Sequence, residues 1–480
     1  MARSKSPLPI WENIAVTGWG ANGKALAKVD GLVVFITGAV PGDTADLRIT
    51  KKKSSYAEAE AIRINIPGPD RVEPVCAHFG TCGGCKWQDL RYEKQLEYKQ
   101  QQVVDNLVRL GGLELPSIAP ILASPRVTHY RNKLEFAGSA HRWFTHAELR
   151  TLGEITDRTA LGFHIPGRFD KVMHVDTCHL QPEPSNSIRL FIHERARALG
   201  LPYYAIRENT GGLRTVLIRT TTTGETMTLV SFGQEDARNE QLLAAVHERF
   251  PDITSLLWTI NTKKNDTIWD LDIRVFHGKD HITEALPDPG LTDLRFRIGA
   301  KSFFQTNPEQ MRAMYVEARD QAGLTGHERV YDLYCGAGTI SLFAARHCKE
   351  VIGAEIVPEA VADARMNAEL NGIRNVRFEA GDLRHLLDAS FIERNGEPDV
   401  LITDPPRAGM HEDVVARILE MAPPRIVYVS CNPATQARDL AMLKDRYRIS
   451  HVRPVDMFPH TYHVENVVRL EALGPNATGT

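Results

Sequence analysis

Between Ile14 and Ile66 short apolar runs such as LVVFITG and TADLRIT alternate with the turn clusters TGWGANG and VPGDT, a spacing that predicts a small antiparallel barrel. INIPGPDRVEP, from Ile64 to Pro74, reads as a linker. Residues 88 to 112 form a polar helical stretch stopped by Gly111-Gly112. From about 125 to 295 strand-like runs are scattered around one helix near 185 to 199, a mixed domain whose topology the pattern does not yield. The period changes after KSFFQTNPEQM. Asn307, Pro308 and Gln310 supply a cap, a first-turn proline and a capping-box residue for a helix. Beyond it the apolar runs RVYDLYC, EVIGAEI, VRFEAGD, PDVLITDPP and RIVYVSC alternate with helical segments, which predicts a doubly wound, mostly parallel α/β sheet. The expected division is a barrel at 1–66, a mixed α+β central domain at 67–295 and an α/β domain at 296–480.

A chain of 480 residues with 42% apolar and 24% charged residues is long enough for two or three cores and has a globular composition. It has no apolar run able to span a bilayer, and its start lacks the pattern of a signal peptide, so a cytoplasmic protein without a membrane partner is expected. A net charge of −3 excludes nucleic-acid binding by bulk charge but leaves room for local patches, such as the one around Lys51-Lys52-Lys53. The cysteines stand at 76, 82, 85, 178, 335, 348 and 431. Their odd number in a reducing compartment points to metal or catalytic use rather than disulfides.

In the α/β region, Asp332 ends a strand, Gly336 and Gly338 open a helix, and Glu355 ends the next strand where a carboxylate can accept ribose hydroxyls. Asp382 follows at a third strand end, placed for an adenine amino group. No lysine follows the glycines, which excludes a Walker phosphate loop. The set resembles class I S-adenosylmethionine-dependent methyltransferases, with NAD binding as the alternative. At the same rim lie Asp404, Pro405, Pro406 and Arg407, where adenine amino-methyltransferases carry an aromatic in place of the arginine. Cys431 ends the following strand. Carbon 5 of uracil is weakly nucleophilic, and a thiolate adding to carbon 6 makes it an enolate that can attack a sulfonium methyl. The adduct must then lose its carbon-5 proton to a base, and the final strand offers His463 and Glu465.

FFQTN, DLYCGAGTISL, DPPRAGM, VYVSCNPATQARDL and FPHTYHVENVVRL, in this order, resemble the RNA uracil-5-methyltransferase family across about 300–470. The resemblance implies that Gln305, Tyr334, Thr339, Glu355, Asp382 and Asp404 contact S-adenosylmethionine or the base, that Cys431 is the nucleophile and that Glu465 is the proton acceptor. Family members often carry Asn where Thr339 stands. Cytosine enzymes, in contrast, set their nucleophile after proline, and here Ser430 precedes Cys431.

CAHFGTCGGC sets Cys76, Cys82 and Cys85 close together, with Cys178 as a fourth thiol, a set suited to zinc or a [4Fe–4S] cluster; His78 and His179 permit mixed zinc ligation. By resemblance, the ribosomal-RNA branch of the family carries this pattern with an iron–sulfur cluster. The same branch has a five-stranded, OB-like N-terminal barrel of the TRAM type, which residues 8 to 66 resemble. Together these features favour 23S ribosomal RNA over tRNA as the partner. Cys335 and Cys348 read as packing residues, and a monomer is expected. The competing reading of another class is a non-catalytic iron–sulfur RNA-binding protein, against which the presence of Cys431, Glu465 and Asp404 together argues.

Overall fold

The computed structural model describes residues 9–151 and 153–474; residues 1–8 of the expected barrel and 475–480 of the expected α/β domain lie outside them. The chain forms two compact units, one of residues up to Lys99 together with Phe458–Tyr462, the other of Gln100–Met457 with the residues from His463 onward.

In the first unit, alternating small apolar residues build a sheet over one core. Ala25, Ala27, Val34, Ile36, Ala45, Leu47, Ile49, Ala57 and Ala59 are buried while most of their strand neighbours are partly or fully exposed. Four strands, Ala25–Val29, Leu32–Thr37, Thr44–Lys52 and Tyr56–Ile66, carry these buried residues, Ile10–Ala15 pairs at one edge of the sheet, and a two-residue strand, Gly18–Trp19, lies at the other. The helix expected at 88–112 runs as Tyr92–Asp105, entering the second unit at Gln100, and ends in a wider turn, Asn106–Leu110, before Gly111 and Gly112. Gln95 accepts the backbone N–H of His460 at 2.8 Å and Lys99 donates to the Phe458 carbonyl at 2.9 Å. These bonds hold a segment from the far end of the chain against the helix.

The second unit contains an eight-stranded mixed sheet built from strands between Lys133 and Gly278. Two of its interior strands, Leu213–Thr220 and Thr226–Phe232, are buried at every position, so no exposed face marks how they pair. The helix near 185 spans Ser185–Ala198. The helix Pro308–Ala322 begins as expected, with the Asn307 side chain accepting the Gln310 N–H at 3.2 Å. Gln310 itself does not close the capping box; its side chain donates to the Leu122 carbonyl at 2.7 Å.

The α/β part has seven strands: β1 (Arg329–Leu333), β2 (Glu350–Glu355), β3 (Val376–Ala380), β4 (Val400–Thr403), β5 (Arg425–Ser430), β6 (Tyr447–Val455) and β7 (Glu465–Ala472). Their order is 3-2-1-4-5-7-6, with β1 to β5 parallel and β7 antiparallel between β5 and β6. The order reverses beside β1, which opens a crevice at the carboxyl ends of β1 and β4. Every site residue inferred for the catalytic end, from Gln305 to Glu465, belongs to this second unit.

Candidate active site

The loop after β1 is shaped by its backbone. Tyr334, Gly336 and Gly338 all have positive φ, 62°, 53° and 78°. At Gly338 a side chain is also barred by packing, since a Cβ there would lie 2.9 Å from the Phe378 ring and 3.0 Å from the Ala364 methyl. At Gly336 the same construction meets nothing within 4 Å. The loop therefore presents bare backbone to open space, as a bound nucleoside requires. Glu355, at the end of β2, is nearly buried and accepts the N–H of Gly336 at 3.1 Å and of Val357 at 3.0 Å. Its carboxylate is thus fixed in direction at the loop, with lone pairs left for ribose hydroxyls.

Asp332, behind this loop, accepts the Ser341 hydroxyl at 2.5 Å, and its second oxygen is buried with no hydrogen-bond partner. Burial pushes it up to about 7 against the Ser341 bond, and the Asp404 and Glu355 charges add to the rise. Thr339 opens the helix Thr339–Ala345 and shares a 3.1 Å hydrogen bond with the Tyr315 hydroxyl. Tyr334 is half-buried, its phenol pushed up to about 12 by desolvation. Asp382 stands after β3 and caps a short helix by accepting the Arg384 N–H at 3.0 Å. The Arg384 guanidinium grips the same carboxylate and holds it down to about 2. Gln305 is half-buried in a segment anchored by Asn132, which donates its amide to the Gln305 carbonyl at 3.1 Å.

The reactive groups meet where β4, β5 and β7 end or begin. Ser430 on β5 pairs with Asn466 on β7, so the antiparallel register carried one residue further sets Cys431 opposite Glu465. Asp404 follows directly on β4, the parallel neighbour of β5. Removal from water pushes Asp404 up to about 7, although one edge of it stays open to solvent. Glu465 is 4% exposed, and burial beside the Asp404 charge pushes it up to about 8 against the pull of Arg407. Cys431 is half-buried; desolvation and the charges of Glu465 and Asp404 push its thiol up to about 11, and Arg407 opposes them by charge and hydrogen bond. At neutral pH the thiol therefore keeps its proton. Beside it stand the two carboxyl groups, of which Asp404 is the readier to receive that proton near neutral pH, and a guanidinium that favours the thiolate.

Arg407, expected only at the rim facing the methyl group, makes contacts the sequence did not show, and Tyr315 was not assigned a part at all. Arg407 donates to Nδ1 of His463 at 2.9 Å, and its carbonyl accepts from the Asn432 amide at 3.0 Å and the Thr435 hydroxyl at 3.2 Å, so it ties the Asp404 loop to the Cys431 loop. Its position after Pro-Pro was visible, but its contact with a distant thiol was not. Tyr315 is buried on the inner face of its helix and feels the charges of Asp404, Asp332 and Glu465. The only signal for it was an apolar-face position carrying a hydroxyl.

The remaining cysteines divide between the units: Cys76, Cys82 and Cys85 lie in the first, Cys178 in the second. None of the four forms a disulfide among the described residues. Burial raises the Cys82 thiol, which accepts the Gly84 N–H at 3.4 Å. Four thiols suit a cluster in donor chemistry, but among the described residues no three His, Cys, Asp or Glu side chains are gathered to hold a metal ion. Cys335 and Cys348 are buried, as packing residues should be. No helix among the described residues is long and apolar enough to cross a membrane.

Comparison with known proteins agrees with this geometry. The tRNA (uracil-5-)-methyltransferase family model matches residues 271–473, and the TRAM domain model matches residues 12–62. An uncharacterized RNA methyltransferase of Bacteroides thetaiotaomicron is 53% identical over 455 residues, covering 94% of this chain and 99% of the relative. Another, from Chlorobaculum tepidum, is 41% identical over 467 residues and covers 95% of each chain. Among solved structures, the Pyrococcus abyssi tRNA (uracil-54, C5)-methyltransferase in complex with S-adenosyl-L-homocysteine superposes with a TM-score of 0.73 at 27% identity, covering 95% of this chain and 100% of that one. With a TRAM domain, a class I methyltransferase sheet and these relatives along nearly its whole length, the chain belongs to the family of S-adenosylmethionine-dependent RNA uracil-5-methyltransferases.

Proposed function

We propose that the protein methylates carbon 5 of a uridine in 23S ribosomal RNA through a covalent adduct on Cys431. The observation that supports this reading is the convergence of Cys431, Glu465 and Asp404 at adjoining strand ends, with both carboxylates raised into the range where they exchange protons near neutral pH. The Cys431 proton passes to Asp404 as its sulfur bonds to carbon 6 and the carbon 5–carbon 6 π pair shifts onto the enolate, and Arg407 favours the sulfur while it is charged. S-adenosylmethionine, when bound, supplies an electrophilic methyl group to carbon 5. Glu465 then takes the carbon-5 proton, and the electron pair released re-forms the ring double bond as the Cys431 sulfur leaves. Glu355, Asp382, Thr339, Tyr334 and Gln305 are assigned to holding the cofactor and base. The barrel, central and catalytic domains at 1–66, 67–295 and 296–480 are the proposed division of labour, with the protein acting as a cytoplasmic monomer.

Glu355→Gln checks the cofactor assignment. The amide oxygen still accepts the Gly336 N–H, but the charge facing the ribose is lost, so the dissociation constant for S-adenosylhomocysteine should rise about tenfold by calorimetry. An unchanged constant removes Glu355 from the site.

The decisive assay of function is transfer of labelled methyl from S-adenosylmethionine to unmodified 23S RNA and, separately, to unmodified tRNA, with the product nucleoside identified. Label in 5-methyluridine of 23S RNA is the expected result. A second reading, tRNA as substrate, is favoured by the superposition on a tRNA enzyme that matches nearly the whole chain, and label in tRNA alone would establish it. No label in either RNA would bring forward a binding protein without activity.

Cys76, Cys82, Cys85 and Cys178 are assigned to a [4Fe–4S] cluster, with zinc as the alternative, on the sequence pattern of three closely spaced cysteines with a fourth and on the donor chemistry of thiolates. No step of methyl transfer passes through it. Anaerobically purified protein should show the broad visible absorbance of such a cluster and lose it in Cys82→Ala. Colourless protein with stoichiometric zinc would replace iron by zinc in the assignment.

A further inference from the structure

A surface cavity of about 770 Å³ opens along β3, the edge strand of the catalytic sheet. Four arginines line it: Arg365 from the helix Pro358–Leu370, Arg374 from the turn after that helix, Arg377 on β3, and Arg394 near the end of the helix Ala389–Asn395. The acidic residues of the lining are Glu369 and Glu379. Glu379 is already engaged, accepting from Arg394 at 3.2 Å and from the Asn395 amide at 2.8 Å. Arg365 gives one nitrogen to the Phe378 carbonyl at 2.6 Å, so it caps the open sheet edge and is held in place by it. Arg377 touches Glu350 at 3.1 Å with 57% of its side chain exposed. Arg374 is exposed and makes no hydrogen bond or ion pair among the described residues.

Protection of a sheet edge needs only charge, which lysine or glutamate supplies equally. Four guanidiniums around one concavity present planar forks of N–H donors, the geometry that fits phosphate oxygens two at a time. A chain of net charge −3 cannot hold a polyanion by overall charge and must do so through local patches of this kind. We propose that this cavity binds the sugar–phosphate backbone of the RNA substrate outside the segment that enters the active site. The inference rests on the RNA-directed activity of the family. It adds a positioning surface on the catalytic domain, distinct from the barrel.

The test measures binding of a labelled mixed-sequence RNA hairpin to the full chain by fluorescence anisotropy across a salt series. It compares the wild type, the double variant Arg374→Ala/Arg377→Ala, and the charge-retaining Arg374→Lys/Arg377→Lys. Loss of two phosphate contacts should weaken binding about tenfold at moderate salt and shrink the log–log salt slope by about 1 to 2, with the lysine variant keeping most of the slope. S-adenosylhomocysteine affinity and the melting temperature serve as controls for folding. If the double variant misfolds, Arg374→Glu alone provides the test, since that side chain is exposed and unpaired. Unchanged affinity and slope in a folded variant overturn the cavity's role and leave the enzyme reading intact. Failure of the wild type to bind any RNA overturns both. Binding of polyglutamate to the wild type but not to the double variant, without an effect of the variant on RNA, assigns the cavity to an acidic protein and overturns the proposal.

Discussion

Cys431→Ala should fold, bind S-adenosylhomocysteine as the wild type does, and transfer methyl slower by roughly four orders of magnitude or more. The side chain is small and half-buried after β5, and the helix behind it is capped independently by Asn432, whose side chain accepts the Ala434 N–H at 3.1 Å; truncation to alanine should therefore cost less than about 1 kcal/mol. The catalytic loss follows from the chemistry: without sulfur bonded to carbon 6, carbon 5 never becomes an enolate, and neither carboxylate can substitute as a nucleophile while it is needed for proton transfer. The measurement is single-turnover methyl transfer, run beside cofactor binding. Turnover near wild type would remove Cys431 from the reaction.

Glu465→Gln should separate the two halves of the reaction. Addition and methylation proceed, the carbon-5 proton has no acceptor, and protein covalently bound to RNA should accumulate on a denaturing gel while turnover falls by about three orders of magnitude. Only free protein on that gel would count against Glu465 as the base. The same variant should gain stability in a defined pH window. The folded carboxyl titrates near 8, above its usual value of 4.5, so between those values the folded state holds a proton that the unfolded state has released. Its contribution is fully favourable below about pH 4.5 and is lost as pH rises through 8. Glutamine removes that loss, so denaturation at pH 5 should show little difference and at pH 9 a gain on the order of a few kcal/mol. Equal stability at both values would mean that Glu465 is not held against ionisation.

The place of the candidate residues at strand ends was readable because a motif such as DPPRAGM or VYVSCNPATQ marks both the turn and a residue suited to the proposed chemistry. The loop glycines were readable for the same reason, and at Gly336 and Gly338 backbone conformation and open space agree with that reading. What was not readable depends on pairing between distant segments. That Glu465 faces Cys431 follows only from β7 inserting antiparallel beside β5. Arg407 gained its thiol and its histidine from the same convergence. The central sheet stayed hidden because strands buried on both faces have no alternation, and the attachment of Phe458–Tyr462 to the first unit rests on hydrogen bonds to Gln95 and Lys99, far away in sequence. Gln310 shows a smaller case: its spacing fits a capping box, but the Leu122 carbonyl claims its side chain.

The buried Asp404–Glu465 pair also bears on the history of the chain. Two carboxylates crowded out of water lower stability, and mutations that relieve such crowding are easy to reach when nothing opposes them. In a lineage that had stopped using the site, Glu465 would drift to glutamine or an apolar residue, and each such change would make the protein more robust at alkaline pH. This chain carries both acids beside the thiol, a combination that selection for fold alone does not favour.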